Sequence, residues 1–211
     1  MAPHSGAGNP ALTSAKQPAL YTSAPVRARR LWIVACALGL AVGLGACGQT
    51  GQPTSVLNNG VYITAGPITY QLQVSRELNQ YLTEDSQYVS GLPFGSGGLT
   101  ADQLWYGVFL WAKNQTKHPE LTAGTFDIVD SGYHHYYPLH LNPELNGYAW
   151  TQRLLPPSGQ EPELNTTASF GPTQGGLLLF KLPTTVYSNR PLTLEIHAPG
   201  VSKAGDISLD L

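Results

Sequence analysis

Between Leu104 and Ala112 the chain reads Leu-Trp-Tyr-Gly-Val-Phe-Leu-Trp-Ala, nine residues with no charge among them. If the segment is extended, Leu104, Tyr106, Val108, Leu110 and Ala112 share one face, and Trp105, Phe109 and Trp111 share the other. A strand that is apolar on both faces belongs in the interior of a sheet, with other parts of the chain packed above and below it. Its aromatic and β-branched content favours a strand over a buried helix. The remaining sequence therefore has to supply neighbours for this strand and a cover for each of its faces.

The neighbours are legible as further short runs. Ile68, Tyr70, Leu72 and Val74 alternate with Thr69, Gln71, Gln73 and Ser75, the period of a half-buried strand. Phe126-Asp127-Ile128-Val129 meets Asp130-Ser131-Gly132, and Tyr133-His134-His135-Tyr136-Tyr137 follows, which predicts a hairpin. Gly175-Gly176 opens Leu177 to Leu182, and Pro183 closes it. Leu192, Leu194 and Ile196 alternate cleanly, and Ile207, Leu209 and Leu211 supply a last strand. Helix signals are confined to two single turns, at Ser75 to Tyr81 and Thr100 to Gln103, the second resembling a capping box. The 23 Gly and 17 Pro lie between the apolar runs without a fixed period, which excludes solenoids and propellers. The predicted fold is all-β, an antiparallel sandwich over 59–211.

The N-terminal portion carries a different message. Arg27, Arg29 and Arg30 precede an apolar run from Leu31 to Leu44, and Gly45-Ala46-Cys47 follows. A basic cluster, a short apolar stretch and small residues before a cleavage point form an export signal. The run is shorter than the ~20 residues of a spanning helix. Residues 1–25 read either as a disordered extension or as sequence upstream of a start at Val26. Of the 11 Lys and Arg, four precede Cys47, and none of the 13 Asp and Glu does. The part from Cys47 onward thus carries 7 basic against 13 acidic residues, a net of −6. That sign argues against nucleic acid as a partner. Residues 47–58 read as a polar, flexible tether.

Leu44-Gly45-Ala46-Cys47 resembles the lipobox of bacterial lipoproteins. The resemblance implies cleavage before Cys47, lipidation of its thiol, and residence on the extracytoplasmic face of the cell membrane. Two acyl chains give stable anchoring where one does not. Four segments add a second likeness: Val108 to Asn114, the hairpin at Phe126 to Tyr133, Leu154-Leu155-Pro156-Pro157, and Gly175 to Pro183. Together they resemble the immunoglobulin-like extracellular domain of unknown function that recurs in bacterial lipoproteins, over roughly Gly60 to Ala198. Two stretches depart from a compact version, Leu78 to Leu99 and Leu139 to Gly171. The resemblance implies a fold and a surface location, and no catalytic residue.

Candidates for chemistry are few. His134 and His135 would point to opposite faces of a strand, and either could join His140 in a metal-handling or enzymatic site. No third ligand has suggestive spacing. Cys36 leaves with the signal, Cys47 is consumed by lipid, and the one Met is Met1, so soft metal ligands are lacking. No Gly-x-Ser-x-Gly elbow follows the signal, and Glu161 and Glu163 flank Pro162 in what reads as a loop. The sequence therefore predicts no catalytic residue, no metal site and no cofactor. Aromatic residues are denser than chemistry requires. Tyr133, His135, Tyr136, Tyr137 and Trp150 are the expected binding surface, because Tyr and Trp offer large contact area at low entropic cost. An envelope protein or a cell-wall glycan is the expected partner.

Overall fold

The computed structural model describes residues 55–56, 60 and 62–209. The basic cluster, the apolar run, the lipobox with Cys47, and Leu211 lie outside them. Two sheets pack face to face as a β-sandwich. The first has the order β1-β12-β11-β6-β7: Ser55–Val56, Gly205–Leu209, Leu192–His197, Thr125–Val129 and His135–Tyr136. The second runs β10-β4-β3-β2, comprising Gly176–Pro183, Gln103–Asn114, Ile68–Leu78 and Tyr62–Ala65, with β9 (Gln160–Glu161) also paired to β4. A two-stranded piece joins β5 (Glu120–Leu121) to β8 (Leu154–Leu155). Among the named strands pairing is antiparallel except for β1 beside β12, where residues 55 and 56 of the tether range form the sheet's edge.

The central strand falls where its composition requires. Leu104, Tyr106, Val108, Leu110 and Ala112 point between the sheets and meet Phe126, Ile128, Leu192, Leu194, Ile196 and Ile207 from the first sheet. Burying each such side chain stabilises by about 1.5–3 kcal/mol relative to exposure. Tyr70 lies in the same core; its hydroxyl accepts from the Ala123 N–H at 2.6 Å, and burial pushes its pKa up to about 12.

The alternation predicted for β3 holds only as far as Leu72. A bulge between Leu72 and Val74 places Leu72 opposite Leu110 and Val74 opposite Phe109. Val74 and Leu78 thereby turn to the outer face of the second sheet, where a second core gathers Trp105, Phe109, Leu177, Leu179, Tyr88, Tyr148 and Ala168. An extra residue in one strand flips every side chain beyond it.

The two long stretches that depart from a compact sandwich provide this second cover. Tyr88 and Tyr148 stack edge-on at 4.8 Å, and Tyr88 meets Phe109 at 5.0 Å. Asn146 ties the stretches together, its amide donating to the carbonyls of Tyr88 and Ser90. Asp85 is buried and paired with Arg76 at 2.5 Å; that hydrogen bond holds its carboxyl below the usual range.

Of the two predicted helical turns, the first is displaced and the second forms a single turn in place. Ser75 to Leu78 continue β3, and the helical turn α1 forms at Thr83–Ser86. Thr100 to Gln103 make one hydrogen-bonded turn that runs straight into β4. A second capping box, unpredicted, opens α2 at Thr167–Phe170. At the far end of β4, the buried Asn114 amide donates to the carbonyls of His118, Leu155 and Pro156. It fastens the central strand to the Leu154 to Pro157 segment.

Candidate functional site

The hairpin between β6 and β7 is built around one carboxylate. Asp130 Oδ1 accepts from the backbone N–H of Gly132 at 2.8 Å and of His134 at 3.0 Å. Its Oδ2 accepts from Tyr136 Oη at 3.0 Å and Asn189 Nδ2 at 2.9 Å, and His134 Nδ1 lies 3.0 Å away. Burial alone would raise its pKa, but these donors outweigh burial and hold it well below the usual carboxylate range. Burial and the neighbouring Asp130 push Tyr136 up to about 12. The turn takes its left-handed residue from Tyr133, with φ of 62°, and not from Gly132. The Tyr133 ring is consequently thrown into solvent at 84% exposure.

The outer face of the first sheet continues from this hairpin. Asp127, Glu195 and Asp206 stand directly opposite one another on β6, β11 and β12. Asp127 is 3% exposed. His135 Nδ1 lies 2.5 Å from its Oδ2, and His197 Nε2 lies 2.5 Å from its Oδ1. Glu195 Oε2 is 3.7 Å from the same His197 nitrogen. The hydrogen bond to Asp127 raises the His135 pKa. An open hollow of about 690 Å³ lies over this face, lined by Val129, Tyr133, His135, Thr193, Glu195 and Asp206 among others.

The residues expected at a binding surface separate into two groups. Tyr133, His135 and Tyr137 are exposed, and Tyr133 and His135 border the hollow. Tyr136 packs against the inter-sheet core and spends its hydroxyl on Asp130. Trp150 also turns inward, edge-on to Phe126 at 5.4 Å, with its indole N–H donating to the Ala123 carbonyl. His140 does not join His134 or His135. It lines a separate crevice with Trp150, Gln152 and Leu178, whereas His134 pairs with Asp130 and His135 with Asp127. Glu161 is a buried member of β9 with its pKa raised by burial, and Glu163 is exposed. Asp127, Glu195 and His197 were absent from the sequence-based set. Each occupies an outward position of a strand whose inward residues were legible, and only the pairing of β6 with β11 brings them together.

No protein-family model matches the chain, and no curated protein is significantly similar to it. Among solved structures, it is similar to the yjhA protein from Bacillus subtilis, at 14% identity and a TM-score of 0.49, over 74% of this chain and 100% of that one. It is also similar to an uncharacterized β-sandwich protein from Clostridium difficile, at 10% identity and a TM-score of 0.39, over 73% of this chain and 93% of that one. A conserved hypothetical protein from Bacillus anthracis follows at 9% identity and a TM-score of 0.41, over 71% of this chain and 94% of that one.

Proposed function

We propose that the chain is a lipoprotein of the bacterial cell membrane, held on its extracytoplasmic face through Cys47, and that its sandwich is an immunoglobulin-like, non-catalytic binding module. The lipobox motif and the basic and apolar segments before it support the anchor. The observation that carries the binding role is the partly exposed outer face of the first sheet, where exposed Tyr133 borders the hollow over Glu195 and Asp206 and exposed Tyr137 follows the edge strand. An aromatic edge next to polar, charged ground is the composition of a recognition surface. The partner is an envelope protein or a cell-wall glycan.

The anchor is tested by feeding cells a clickable palmitate analogue. Labelled native chain, with Cys47→Ser unlabelled and released from the membrane, is the expected result. Equal labelling of Cys47→Ser would overturn the anchor. The binding role is tested by capture from solubilised membranes: Tyr133→Ala with Tyr137→Ala should lose whatever the native chain retains, while Tyr81→Ala should keep it. Retention by the double variant would overturn the assigned surface.

A further inference from the structure

The row of carboxylates on the first sheet presents an electrostatic problem. Asp127 faces Glu195 across one strand pair, and Glu195 faces Asp206 across the next. Like charges directly opposite on neighbouring strands are destabilising. Asp127 is moreover buried, so it cannot spread its charge into water. The ion pairs recorded at Asp127 and Glu195 run to imidazoles, which carry charge only when protonated.

We propose that Asp127, Glu195 and His197 form a binding site for a divalent transition-metal cation of the zinc and manganese class. This inference goes beyond the binding-module reading and holds whether or not the chain is lipidated. One carboxylate oxygen each from Asp127 and Glu195 and one imidazole nitrogen of His197 all lie within 4.8 Å of one another. Around a tetrahedral ion with bonds near 2.0–2.2 Å, adjacent ligand atoms sit about 3.4 Å apart. The Glu195 to His197 separation of 3.7 Å is already close to that edge. The Asp127 to His197 separation of 2.5 Å opens by about 1 Å as the ion takes the place of the proton shared between the two atoms.

The parts that must move are free to do so, and the part that must not is fixed. The side chains of His197 and Glu195 are 40% and 30% exposed. Asp127 is buried, and His135 grips its other oxygen, Oδ2. A ligating carboxylate held by an outer hydrogen bond is the usual support of a metal site. Asp206 adds negative potential from the next strand. The donors are one nitrogen and two oxygens, which suits zinc and manganese and disfavours cuprous copper. Three protein ligands leave a fourth position facing the solvent side of the sheet.

The test is titration of the full-length chain, stripped with a chelator, against zinc by calorimetry and manganese by electron paramagnetic resonance. Manganese serves as a probe that thiols bind poorly. The expected result is one ion per chain and a zinc-dependent rise in the thermal unfolding midpoint. His197→Ala and Glu195→Gln should each weaken binding at least tenfold and abolish that rise, while His140→Ala binds as the native chain does. Glu195→Gln is nearly isosteric at a half-exposed position, so it reads the site even if His197→Ala fails to fold. No saturable binding by the native chain, or native-like binding by a folded Glu195→Gln, would overturn the proposal.

Discussion

On the outer face of the second sheet, Trp105, Phe109, Leu177 and Leu179 are sealed beneath two long loops that bring Tyr88, Tyr148 and Ala168 onto them. On the outer face of the first sheet, the corresponding strand centres carry Asp127, Thr193, Glu195 and Asp206, and the last three line an open hollow. Both faces share one inter-sheet core, so stability did not require them to differ. A face that must be apolar recruits chain to cover it; a face that carries paired charge can remain open. The difference separates the residues that hold the molecule together from those available to meet something else.

The covered face can be broken by truncation. Trp105→Ala removes a side chain that is 1% exposed and gives its indole N–H to Gln80 at 2.9 Å. It should cost about 3–5 kcal/mol, read from urea unfolding. A cost below ~1 kcal/mol would mean that the loops do not form a second core.

Asp130 lies on the open side but is wholly buried as a side chain. Asp130→Ala orphans several donors at once and should cost about 3 kcal/mol by the same measurement. Its folded pKa lies below the unfolded value, so its contribution is present above the unfolded value of ~3.9 and is lost as pH falls through the folded one. The native chain should therefore lose stability on acidification below about pH 4 more steeply than Asp130→Asn.

Tyr133 is an exposed ring on a strained backbone. A non-glycine residue in the left-handed region costs about 1–2 kcal/mol, and this ring recovers little through burial at 84% exposure. Tyr133→Gly should stabilise the fold by about 1 kcal/mol while removing the ring from the proposed binding surface. Loss of stability in that variant would show that the ring packs in solution. Tyr137→Ala, at another exposed ring, should change stability by less than ~0.5 kcal/mol.

The long strands β3, β4, β6, β10, β11 and β12 and the two faces of β4 were legible from their apolar patterning, whereas the two-residue strands β1, β5, β8 and β9 were not. The flip at Val74 was not legible, since the extra residue of a bulge leaves the composition of β3 unchanged. Nor was the role of the long stretches at Leu78 to Leu99 and Leu139 to Gly171. Their cover depends on side chains far apart in sequence, such as Tyr88 and Tyr148. The site was legible in half. His135 was singled out, but its partner is Asp127, and His197 reaches the same carboxylate from a strand 70 residues away. The inward residues Leu194 and Ile196 announced β11, and the Glu195 and His197 between and beyond them read only as its polar side.

In the proposed binding role, the open face of the first sheet meets the partner and the loop-covered face of the second is structural. Photo-crosslinking in cells that express the native chain tests it most directly. A photoreactive residue is placed at position 133 or 137, or at 81 or 170 on the covering loops. A discrete adduct, protein or glycan, is expected from 133 and 137 and none from 81 and 170. Adducts from 81 or 170, with none from 133 and 137, would contradict it.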